Sequence, residues 1–176
     1  MFKTLYLIHT SPNKFIEFDI NNFRENCLDK DTMQFGCYFV FTEKPEDLKI
    51  FESTTKRFGK RHGNKIAYLY KATTLIDTDR LINNYDKIDY ETYRKLFKQI
   101  NLDIDESIYA AYKTNIALFY NFCKTAYKKL GNWQDVANIL IQNNFDGYYD
   151  NDSETDFGTI VLFNTSLINI TEIIEY

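Results

Sequence analysis

Residues 105–130 limit the possible folds of this chain most tightly. Ile108, Tyr112, Ile116, Phe119, Cys123, Tyr127 and Leu130 recur at spacings of three and four. That period lines one face of a helix with apolar side chains. The spacing predicts one long helix over 105–130, ended by Gly131. Tyr90 to Ile100 reads as a shorter amphipathic helix. Asn132 reads as the cap of the next one, with Asp135 three residues on. Val136, Ala137, Leu140 and Ile141 form its stripe. Striped helices need an apolar surface to cover, and the two ends of the chain offer one.

At those ends the period drops to two. Over 3–9, Leu5, Leu7 and His9 share one face of a predicted strand, and Thr4, Tyr6 and Ile8 the other. Residues 21–34 are polar and read as a loop with room for a helical turn. "GCYFVFT", 36–42, is aromatic and β-branched and reads as a strand. Thr42 is then expected to cap a helix with Pro45 and Glu46 in its first turn. Leu48, Phe51 and Phe58 would line its buried side, with Gly59 ending it. "NKIAYLYKAT", 64–73, is another strand. "FDGYYDNDSETDFG", 145–158, reads as a turn-rich connection, and "TIVLF", 159–163, and "LINITEIIE", 167–175, as the closing strands. The sum is a single α+β domain over 1–176, with helices inserted between the strands at about 78–142.

Composition excludes several classes. The formal net charge is −4, which argues against a general nucleic-acid binder. The most basic stretch, "KRFGKRHGNK" at 56–65, reads as a solvated helix end and turn. The three cysteines, Cys27, Cys37 and Cys123, form no CxxC. They point to free thiols rather than a zinc knuckle or a disulfide framework. No run approaches the ~18 apolar residues of a membrane span, and the opening apolar run is short for a signal peptide. A cytoplasmic location without a membrane partner is expected. Richness in Asn, Ile, Lys and Tyr suggests an AT-rich genome, that of a phage or a low-GC bacterium.

The chemistry-bearing residues are few. In "LYLIHTSP", 5–12, His9 ends an apolar strand against the polar turn Thr10, Ser11, Pro12. An imidazole there donates from one nitrogen and accepts at the other, either for the fold or for a ligand. No GxSxG exists, and Ser11 is too close to His9 to form a triad with it. His62 is the only other histidine, so no histidine-based metal site is expected, and no Gly-rich phosphate loop occurs. Asp150, Asp152, Glu154 and Asp156 crowd one loop before the 159–163 strand. This is either a solvated acidic loop or a carboxylate poised at a strand edge to stabilise a cationic transition state. The spacing lacks the central Gly and terminal Glu of a calcium loop.

Three pieces occur in a set order: "LIHTSP" followed by "FIEFD", then "FGCYFVFTEKPEDLKIF", then "FDGYYD" leading to "TIVLFNTSLINI". Together they resemble the ADP-ribosyltransferase superfamily, in particular its His–Tyr–Glu branch and the small phage-borne members found in polyvalent proteins. The resemblance covers both ends of the chain and leaves the helices of 75–140 unmatched. It implies a split core with a nucleotide cleft between two small sheets. It also implies NAD as a substrate, no metal, and transfer of ADP-ribose to a macromolecule.

By the resemblance, His9 holds a ribose hydroxyl and the Thr10 backbone grips the nicotinamide amide. Tyr38 stacks under the nicotinamide, with Val40 taking that slot in the alternative alignment. Phe51 supplies the second aromatic. An aromatic face suits the cationic ring of bound NAD. The family's catalytic Glu aligns here with Thr159. That leaves Asp156, and after it Glu154, to act as the acid from the preceding loop. The implied activity is an NAD-dependent glycosyl transfer to a host protein, with a nucleic-acid acceptor left open and host defence a natural target. The other reading is a non-enzymatic binding or inhibitor protein on the same fold.

Overall fold

The computed structural model of the protein describes residues 1–22, 35–50, 52–53, 68–83, 86–150 and 158–176. Its strands are β1 (Phe2–Ser11), β2 (Cys37–Thr42), β3 (Tyr68–Asp77), β4 (Leu81–Asn83), β5 (Gly147–Asp150), β6 (Gly158–Leu162) and β7 (Ile168–Glu175). They join in one sheet in the order β4-β5-β6-β2-β1-β3-β7. The α+β class is as expected, but the strands hydrogen-bond as one sheet rather than two small ones. Five runs predicted from apolar alternation or apolar content are strands. β4 and β5 were not expected; the first is three residues long, and the second lies inside the segment read as a turn-rich connection.

The β4–β5 pair is parallel, and every other neighbouring pair is antiparallel. A parallel pair needs a long crossover. The helices supply it: α1 (Tyr90–Gln99), α2 (Glu106–Ala110), α3 (Asn115–Leu130) and α4 (Trp133–Gln142).

The single helix expected over 105–130 is two helices, α2 and α3. The cause is Asn115, a buried residue on the predicted helix. Its Oδ1 accepts from the Ile88 N–H at 2.8 Å, its Nδ2 donates to the Asn83 carbonyl at 2.9 Å, and its own N–H donates to Asp86 O at 2.8 Å. These bonds tie the link after β4 to the start of α3. Buried polar groups of this kind have to be satisfied, and here that requirement overrides helical continuity. Gly131 then ends α3 at φ 81°, and the Asn132 side chain accepts from the Asp135 N–H at 2.8 Å, both as the sequence predicts. The cap expected at Thr42 moves: its hydroxyl accepts from the Lys44 N–H at 3.1 Å, and a short 3-10 turn starts at Pro45. Phe51 and Phe58 lie outside the described residues.

Paired residues on neighbouring strands share a face. The helices cover the face carrying Ile82, Tyr148 and Val161, packing Leu96, Phe119, Phe122, Trp133 and Leu140 into the largest apolar cluster. The opposite face buries Leu5, Leu7, Phe39, Ala72, Ile160 and Leu162 beneath Phe18 and Leu167.

Candidate functional site

β6, β2 and β1 are consecutive in the sheet, so "TIVLF", "GCYFVFT" and the strand ending in His9 lie side by side. Ile8 pairs with Val40, and Val40 pairs with Thr159. Gly36 makes the close approach of β2 to β6 possible. Its φ is +115°, and an added Cβ would lie 2.6 Å from Val161 Cγ1. Only glycine takes that backbone and that contact without strain.

The His9 ring stands on the face that carries Leu7 and Phe39. Its Nδ1 lies 2.8 Å from the carbonyl oxygen of Tyr38. A carbonyl only accepts, so Nδ1 carries the proton and Nε2 the lone pair. Burial pushes the His9 pKa below the usual histidine value, against the smaller opposing pull of that carbonyl. The imidazole is therefore neutral near pH 7, with its tautomer fixed by the backbone of β2. Among the described residues, no hydrogen bond reaches Nε2.

Four aromatic rings surround this imidazole. Phe18 meets it edge-on at 5.4 Å, Phe39 lies at 5.8 Å, and Phe15 and Tyr70 lie at 6.2 Å. Phe39 comes from β2 and Tyr70 from β3, whose Cα pairs with that of His9. Phe15 and Phe18 come from the connection after β1. None of the four was singled out from the sequence. Two of them sit in "FIEFD", a segment noted in the sequence, where two phenylalanines three apart follow the histidine turn directly.

The other expected site residues are placed as follows. Tyr38 is 36% exposed, and its side chain lies on the helix-covered face, in register with Val161. It meets His9 through its backbone carbonyl, not its ring. Strand alternation puts Thr10 on that same face, together with Val40 and Thr159. So Thr10, Tyr38 and Thr159 share one face of β1, β2 and β6, and the His9 ring stands on the other. Asp150 pairs with Thr159 at the end of the β5–β6 ladder. Glu154 and Asp156 fall between those two strands and, with Phe51 and His62, lie outside the described residues.

Asp146 of the "FDG" segment is a structural residue. It is 5% exposed, and its Oδ2 lies 2.6 Å from Arg80 Nε while Arg80 Nη2 donates to its Oδ1 at 2.9 Å. Its backbone N–H donates to Arg80 O at 2.9 Å, and its carbonyl accepts from Phe163 N–H at 2.8 Å. Arg80 also donates to the Ile141 carbonyl at 3.0 Å. One ion pair thus ties the entry to β4, the end of α4, β5 and the end of β6.

Among the described residues, no group of three or more His, Cys, Asp or Glu converges as a metal site. No helix among them is long and apolar enough to cross a membrane. The fold and site define an α+β protein with a mixed sheet and a neutral, backbone-tethered histidine at its centre. Comparison with protein-family models, with curated proteins and with solved structures finds no match.

Proposed function

We propose that the protein is a mono-ADP-ribosyltransferase with an ADP-ribosyltransferase-like core, taking NAD as substrate and a macromolecule, a host protein by preference, as acceptor. The supporting observation is positional. Each of the three segments that carry the resemblance contributes one of three consecutive strands, β6, β2 and β1, and His9 is bonded to the backbone of the Gly-x-Tyr-Phe strand.

In this reading the Nε2 lone pair of His9 accepts a hydrogen bond from a ribose hydroxyl. The Thr10 backbone grips the nicotinamide amide and Phe51 supplies an aromatic contact to its ring, while Tyr38 acts through the carbonyl that orients His9 rather than through its ring. The glycosidic C–N bond breaks, and nicotinamide leaves with the bonding electron pair. Asp156, with Glu154 as the second choice, offsets the positive charge that develops on the ribose ring. An acceptor nucleophile then bonds to the anomeric carbon and gives up its proton.

A second reading is favoured by the aromatic rings around His9 and by the opposite facing of the His9 and Tyr38 side chains. It is a binding or inhibitor protein on the same fold that performs no transfer. Incubation with NAD labelled in its adenylate half and a bacterial lysate separates the two. Transfer of label that is lost in both His9→Ala and Asp156→Ala supports the enzyme. NAD binding without transfer supports the binding protein, and no NAD binding by the folded chain removes both NAD readings. Protease and nuclease treatment of the labelled product identifies the acceptor class.

A further inference from the structure

We infer that residues 12–19 form a strap that packs over part of the half-buried His9 ring and is latched by the phenol of Tyr70, so that lifting the strap widens ligand access to the imidazole. The inference rests on the proposed NAD site and adds its regulation.

Of the four rings around His9, Phe39 and Tyr70 belong to strands hydrogen-bonded on both sides in the middle of the sheet and are fully buried. They cannot leave without breaking the sheet. Phe15 and Phe18 are on the connection that follows β1, and both are half-buried. They are the parts of the enclosure that can move.

The latch is a single side chain from β3. Tyr70 Oη accepts from the Phe15 N–H at 2.8 Å and donates to the Asn13 carbonyl at 3.2 Å. The Phe15 ring stacks on the Tyr70 ring at 4.0 Å, with 4° between the planes. Phe18 sits edge-on over Phe39 at 4.8 Å and adds to the cover over the part-buried His9 ring. Around the latch the strap is exposed: Pro12, Asn13, Lys14, Ile16 and Glu17 all face solvent. An exposed segment fastened by few groups opens at a free energy well below that of global unfolding.

The strap therefore lies over the ring while its hinge, the turn at Ser11 and Pro12, lies one residue beyond Thr10. Lifting it leaves β1 paired and the Nδ1 tether to Tyr38 intact. The ring keeps its orientation and presents Nε2.

The test reads access to His9 without requiring NAD. In a His62→Gln background, His9 is the only imidazole. Its acylation by diethyl pyrocarbonate, followed by mass spectrometry of the peptide that contains it, reports how often the strap is open. Tyr70→Phe keeps the stacked ring and deletes both latch bonds. We expect acylation of His9 to be slow in the parent and about tenfold faster in Tyr70→Phe, the loss of two modest hydrogen bonds. Phe15→Ala, which removes the stack and not the phenol, should also accelerate it. Urea midpoints measured alongside tell local opening from global unfolding. Equal rates in all three folded proteins, or a parent rate equal to that of a free imidazole, would overturn the strap. Titration with NAD follows on the same variants. Tighter binding by Tyr70→Phe supports the strap as a gate for NAD. Faster acylation with no NAD binding by either protein supports the strap and overturns the ADP-ribosyltransferase reading.

Discussion

Asp146 and His9 are both polar side chains set beside apolar strands. The chain treats them in opposite ways. The Asp146 carboxylate has Arg80 against both oxygens, with Asn164 Nδ2 at 3.3 Å, and its backbone is bonded on both sides as well. His9 is tethered through one nitrogen to one carbonyl and is otherwise met by aromatic rings. A group whose hydrogen-bonding capacity is consumed by its own chain holds the fold together. One whose second nitrogen meets no hydrogen-bond partner among the described residues keeps the capacity to accept one more bond.

The largest effect expected from this contrast is at Arg80. Arg80→Ala leaves the Asp146 carboxylate buried without its counter-charge, which costs about 3 kcal/mol of stability. Chemical denaturation measures it, and a loss below about 1 kcal/mol would mean that the ion pair is not a weld. Smaller, and opposite in kind, is the effect at His9. Burial holds the folded-state pKa of His9 below its unfolded value of about 6.5. The unfolded chain therefore binds more protons in the window between the two. The stability gained by keeping His9 neutral is fully present above about pH 6.5 and is lost as the pH falls toward the folded-state value. His9→Gln should flatten that acid-side decline in urea midpoints. An unchanged decline would place its source elsewhere.

The smallest effect is at Cys37, half-buried on the same face as His9. Burial, with a contribution from the Asp19 carboxylate, pushes its thiol up to about 12. Its reaction with a disulfide reagent at pH 7 should be far slower than that of an unfolded control. A rate matching the unfolded chain would show that this face is open without any strap movement.

The sequence made the strands and the helical block legible because both have a period. β1 and the stripe of α4 follow alternation and three-four spacing. Periodicity does not register single polar contacts between distant residues. Asn115 looked like one more polar position on a helix; its bonds to Asn83 and Ile88 split that helix. β5 was hidden because Gly147 and Asp150 read as turn residues, whereas both pair with β6 together with Tyr148 and Tyr149. His9 was legible as a candidate because an imidazole at the end of an apolar strand is conspicuous. The rings around it were not, because an aromatic in a connection has the same signature whether it packs in the core or covers a site.

The most direct test of the account is a nuclear magnetic resonance titration of the His62→Gln protein with NAD, following the single imidazole. We predict a saturable shift of the Nε2 resonance while Nδ1 keeps its proton and its bond to Tyr38. An imidazole spectrum unmoved by NAD in a folded sample, with the strap closed or released by Tyr70→Phe, would contradict the account.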